Sequence, residues 1–74
     1  MNSLVLINEK EDLRVDYNLR DINKISYGKM KDFHDTDDII NNGHKINESA
    51  IQIIFYDNIV VTFGKEWHIE FRTF

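Results

Sequence analysis

The 74-residue chain contains no cysteine, so neither disulfide bridges nor thiolate-held metals can supplement its core. Its three glycines, Gly28, Gly43 and Gly64, stand alone, which excludes a glycine-rich loop of the kind that cradles phosphate. Serine is scarce as well. Ser3, Ser26 and Ser49 have no histidine or acid beside them in a nucleophile motif. No apolar run is long enough to cross a bilayer, and the opening MNSLVLINEK lacks the basic flank of a signal peptide. A cytoplasmic protein is the expectation.

Basic charge is also in deficit. Nine Lys and Arg stand against thirteen Asp and Glu, a net charge of −4. The imbalance is uneven: residues 1–9 carry −1, residues 10–31 carry +2 and residues 32–74 carry −5. Neutralisation of phosphates supplies most non-specific affinity for nucleic acid, so duplex binding is not expected. Arg14, Arg20 and Lys24 with Tyr17 and Tyr27 would make a weakly basic aromatic patch for a single strand. The alternation around Tyr17, however, turns it away from Arg14 and toward a core. An electrostatic partner of the acidic part would be basic, although a small soluble domain needs some net charge in any case.

What is present is a β-rich pattern. An apolar share of 42% supports one domain over residues 1–74, near the lower size limit, where folding hides roughly 60% of the unfolded surface. The chain is organised around residues 51–74, IQIIFYDNIVVTFGKEWHIEFRTF. Asp57-Asn58 and Gly64-Lys65 cut this stretch into three runs of β-branched and aromatic residues. The spacing predicts a three-stranded antiparallel meander. In its first two runs, Ile51, Ile53 and Phe55 alternate with Gln52, Ile54 and Tyr56, and Ile59, Val61 and Phe63 with Val60 and Thr62. Apolar groups on both faces mark strands covered on both sides. A two-residue turn would pair Ile54 with Val61 and a three-residue loop Ile53 with Val61; the sequence leaves both open. In the last run Trp67, Ile69 and Phe71 face one way, His68, Glu70 and Arg72 the other.

Upstream, Ser3 to Asn8 reads as an edge or central strand, and Glu9 to Asp12 as a charged connector. Leu13, Val15, Tyr17 and Leu19 then alternate with Arg14, Asp16, Asn18 and Arg20, a period of two that marks a half-buried strand and an N-terminal hairpin. A bend at Asp21-Ile22-Asn23 leads into a strand near Lys24–Met30, with a single helical turn as the alternative. A short helix is predicted over Thr36–Asn42, capped by Asp35 or Thr36 and closed by Gly43. The expected fold is therefore mainly β, a small antiparallel sheet of about five strands with one short helix in the middle.

Chemistry is sparse. The neutral-pH proton carriers are His34 beside acids, His44 in a loop and His68 on a wet strand face. Asp32, His34, Asp35, Asp37 and Asp38 have the composition of a hard-cation loop. The calcium-loop pattern nevertheless fails, because its sixth position falls on Asp37 and its twelfth on Gly43. No metal, cofactor or catalytic residue is expected, and the protein is read as a non-enzyme. Asp32, Asp35, Asp37 and Asp38 are the expected partner contacts, with helix capping as the competing role of the cluster. Trp67 is either a core plug, which the alternation favours, or a partner anchor.

Ile, Asn, Lys and Asp are heavily used, Ala50 is the single alanine and proline is absent, as an AT-rich coding sequence would produce. In size and composition the chain resembles the small proteins encoded by phages and mobile elements of such bacteria. Many of those bind and inhibit a host protein, host defence included. That resemblance implies a protein-binding module acting stoichiometrically on a host protein; the acidic balance adds that the partner has a basic surface, as the groove of a nucleic-acid-handling protein does. The alternatives are a homo-oligomeric structural module, in which Ile54, Tyr56 and Val60 leave apolar surface to close a homodimer, and a single-stranded nucleic-acid binder. No membrane partner is expected.

Overall fold

Leu4, Val5 and Leu6 are consecutive and wholly buried, and this run determines how the chain is arranged. Successive side chains on a strand point to opposite faces, so such a strand must be covered above and below and paired along both edges. A computed structural model describes residues 2–33, 38–40 and 48–73. It is mainly β, with strands β1 (Asn2–Asn8), β2 (Leu13–Asn18), β3 (Ile22–Lys29), β4 (Asp38–Ile40), β5 (Ser49–Phe55), β6 (Val60–Phe63) and β7 (His68–Thr73). They form two sheets, of order β2-β1-β7 and β3-β5-β6-β4. β1 is central and antiparallel to both neighbours, with Leu4 opposite Tyr17 on β2 and Phe71 on β7.

The sheets share one apolar core. Leu4 and Leu6 from the first sheet meet Ile53, Val61 and Phe63 from the second, with Trp67 from the link. Tyr17, Val15 and Ile69 pack on from one side, and Ile22, Ile25, Ile51 and Phe55 from the other. Aromatic edges meet aromatic faces through the middle. Tyr17 lies 5.0 Å from Phe55 and 6.3 Å from Phe63, and Phe63 lies 5.2 Å from Trp67, ring centre to ring centre. Such T-shaped contacts suit ring quadrupoles.

The N-terminal hairpin forms as expected. Asn8 pairs with Leu13 across the four-residue link, where the Glu11 N–H donates to Asn8 Oδ1 at 3.0 Å and Asp12 takes a left-handed φ of 55°. The meander is only half right. β5 and β6 pair as a hairpin, but β7 joins β1 in the other sheet, and the chain crosses between sheets at residues 64–67. The cause is β1, whose buried run requires a strand on its second edge.

The predicted helix is also corrected. Within Thr36–Asn42 the described residues Asp38–Ile40 are a strand, parallel to β6 with Ile39 beside Thr62; the remainder lies outside the described residues. Among those residues, helical geometry is confined to two single 3-10 turns, Leu19–Asp21 and Met30–Asp32. The bend expected near Asn23 takes the form of that first turn plus a register shift between Ile22 and Lys24.

Candidate functional site

The open register of the β5–β6 hairpin is settled by its loop, and the loop builds one wall of a cleft. Ile53 pairs with Val61, so Tyr56, Asp57 and Asn58 form a three-residue connection. The Asn58 N–H donates to the Phe55 carbonyl at 2.9 Å, and Asn58 then adopts a φ of 70°. A type I turn followed by a left-handed residue is a favoured three-residue hairpin loop, and Asn tolerates that conformation better than most residues. Asp57 Oδ1 accepts the Ile59 N–H at 3.1 Å and pins the exit.

This loop is tied to the opposite corner of the fold. The Tyr56 N–H donates to the Asp21 carbonyl at 3.1 Å. Asp21 closes the 3-10 turn whose start is capped by Asn18, its side chain accepting the Arg20 N–H at 3.2 Å. Between loop and turn lies an open cavity of about 520 Å³. Its lining combines the less exposed Tyr17, Phe55 and Val61, which form the floor, with Asn18, Arg20, Asp21, Tyr56, Asp57 and Ile59 around them. Tyr56 is 67% exposed and Ile59 49%. The cleft thus combines aromatic and aliphatic surface with two carboxylates and one guanidinium at its rim.

The residues singled out from sequence do not gather there. Asp32 is exposed, and its carboxylate accepts the Lys29 N–H at 3.1 Å within a 3-10 turn, a local structural bond. Asp38 lies in β4, and Asp35 and Asp37 lie outside the described residues, as do His34 and His44. Trp67 is 6% exposed and packs on Phe63, so its ring is a core plug. Its indole N–H is buried without a hydrogen-bond partner among the described residues. Ile54 and Val60, expected to leave apolar surface on the sheet, are half-buried.

The outer face of the β2-β1-β7 sheet is a charged lattice over an apolar residue. Val5 sits between Asp16 on β2 and Glu70 on β7, yet its exposure is 0%. Arg14 grips Asp16 with two contacts, Nε to Oδ1 at 2.9 Å and Nη2 to Oδ2 at 3.3 Å. Arg72 holds Glu70 by one, Nη2 to Oε2 at 2.9 Å. The hydrogen bond from Arg72 keeps the Glu70 carboxyl below the usual carboxylate range, against a smaller desolvation effect. The hydrogen bond that Arg14 donates to Asp16 likewise pushes the Arg14 guanidinium up. On this face Val5 is flanked by the Arg14–Asp16 pair of β2 and the Glu70–Arg72 pair of β7.

No family model matches this chain, and no curated protein or solved structure matches it either. The cleft is the feature of the described surface that bears on function. Its signals in the sequence were Tyr56 and Ile59 on either side of a turn, apolar residues where a loop is ordinarily polar.

Proposed function

We propose that the protein is a non-enzymatic binding module that grips another protein through the cleft between the β5–β6 loop and the Leu19–Asp21 turn. The observation that carries this reading is the rim-and-floor arrangement there. Exposed Tyr56 and Ile59 border an aromatic floor of Tyr17 and Phe55, with charges only at the edge. An apolar centre rich in tyrosine inside a charged rim is the composition of a protein-binding hot spot.

The occupant is a segment of a basic partner that presents one aromatic or aliphatic side chain flanked by lysine or arginine. Asp21 and Asp57 outnumber Arg20 at the rim, and the chain as a whole carries −4. The composition that resembles phage and mobile-element proteins supports a host protein as that partner and stoichiometric inhibition as the mode of action.

Selection from a random peptide library on the immobilised protein tests this, with an Ile59→Asp variant as counter-selection. A consensus joining an apolar anchor to a basic neighbour, retained by wild type and lost on the variant, is the expected result. Equal recovery on both proteins, or an acidic consensus, would overturn the assignment of the cleft.

A further inference from the structure

We infer that two copies of the chain pair edge to edge through β7, antiparallel across a two-fold axis at Phe71, extending the β2-β1-β7 sheet into a continuous six-stranded one. Among the described strands β7 has β1 on one side and none on the other. An open edge of six residues is a template for pairing with another chain, and natural edges are commonly blunted by a bulge, by proline or by extra lysines. β7, reading HIEFRT, has neither proline nor lysine. At its centre it carries Phe71, which is 62% exposed.

Self-complementarity fixes the register. With Phe71 opposite its own copy, antiparallel pairing sets Glu70 opposite Arg72 of the second copy and Arg72 opposite Glu70. Both cross-strand neighbours are then opposite charges, and the two phenylalanines meet at the axis, each burying what is now wet. A closed isologous contact requires one patch to complement itself in this way. The groups that would make the new bonds are open. Arg72 reaches Glu70 through a single contact to Oε2, which leaves Glu70 Oε1 and further Arg72 N–H groups for the second copy.

β2, the other edge of this sheet, is the rival. Its Arg14 and Asp16 would also face each other across an axis at Val15. Arg14, however, already binds both Asp16 oxygens, and Val15 is already half-buried in the core, so pairing there adds little. The β7 contact involves none of the residues that line the cleft, and its test needs no knowledge of the partner.

The test is a charge swap. Glu70→Arg with Arg72→Glu keeps the pair within each chain and keeps the pairs across a swapped homodimer. A mixed dimer of wild type and swap sets Glu against Glu and Arg against Arg. Sedimentation at high micromolar concentration should give a dimer for each protein alone. Native mass spectrometry of an equilibrated mixture, one protein mass-tagged, should show mixed dimers at least about fivefold below their statistical share, since directly opposed like charges destabilise. The corresponding Arg14→Asp, Asp16→Arg swap should mix statistically. Phe71→Lys should give a monomer whose melting temperature matches that of wild type diluted until it too is monomeric. A wild type that stays monomeric throughout, statistical mixing of the β7 swap, or depletion with the β2 swap instead would each overturn the proposal.

Discussion

Replacing Phe63 by alanine removes the ring on which the two sheets meet. Phe63 is fully buried, and its ring makes edge-to-face contacts with Tyr17 of the first sheet and Trp67 of the crossing segment. Truncation of a buried Phe costs about 3–5 kcal/mol, transfer and cavity together. The two aromatic contacts, at ~0.5–1.5 kcal/mol each, place this site toward the upper end. A domain of this length has about 4–11 kcal/mol in total, so Phe63→Ala removes between a third and all of the stability. Urea unfolding followed by Trp67 fluorescence and far-UV circular dichroism reads this directly, because Trp67 is the single tryptophan and is buried. Tyr27→Ala serves as control: Tyr27 is 68% exposed and its loss should stay within about 0.5 kcal/mol. A loss below about 1 kcal/mol at Phe63, or equal losses at both sites, would refute a shared core between the sheets.

Further outcomes follow from the loop, the charged lattice and the cleft. Asn58→Val should lose about 1–2 kcal/mol through its left-handed φ while Asn58→Gly loses none, checked by the same unfolding assay. The depressed Glu70 carboxyl contributes stability that is fully present above its unfolded value of about 4.3 and is lost as pH falls through its lower folded value. Arg72→Gln should therefore flatten the acid limb of a melting-temperature profile taken on dilute protein; an unchanged limb would show that the pair does not couple to folding. Asp21→Asn with Asp57→Asn should slow association with a basic-flanked peptide at low salt and matter little at high salt, measured by stopped flow. Asn at position 57 retains the oxygen that accepts the Ile59 N–H, so the loop should survive.

Much of this architecture was legible because period-two patterns survive wherever one face is wet. The Leu13–Leu19 alternation identified β2, and the charges of Glu9–Asp12 identified the hairpin link. Sheet membership was not legible. Trp67, Ile69 and Phe71 suit the same kind of core whether β7 lies beside β6 or beside β1. The deciding demand comes from Leu4-Val5-Leu6, more than sixty residues away in sequence from its partner strand. The register of the β5–β6 hairpin turned on Asn58 accepting a positive φ, a backbone property that an apolar pattern does not carry. The Thr36–Asn42 stretch carries the caps and acids expected of a short helix, and at Asp38–Ile40 tertiary pairing with β6 overrode that local preference. The cleft escaped notice because its walls are contributed by Asp21 and Tyr56, brought together by one backbone hydrogen bond.

The cleft assignment is tested most directly by a residue-resolved titration. Backbone amide spectra of labelled protein, recorded as a peptide with one tryptophan or leucine between lysines is added, report where the ligand sits. One-to-one saturation is expected, with shifts concentrated at Tyr17, Arg20, Asp21, Tyr56, Asp57 and Ile59, all absent in Ile59→Asp. Saturating shifts that centre on the charged face around Val5, or that persist unchanged in Ile59→Asp, would contradict it.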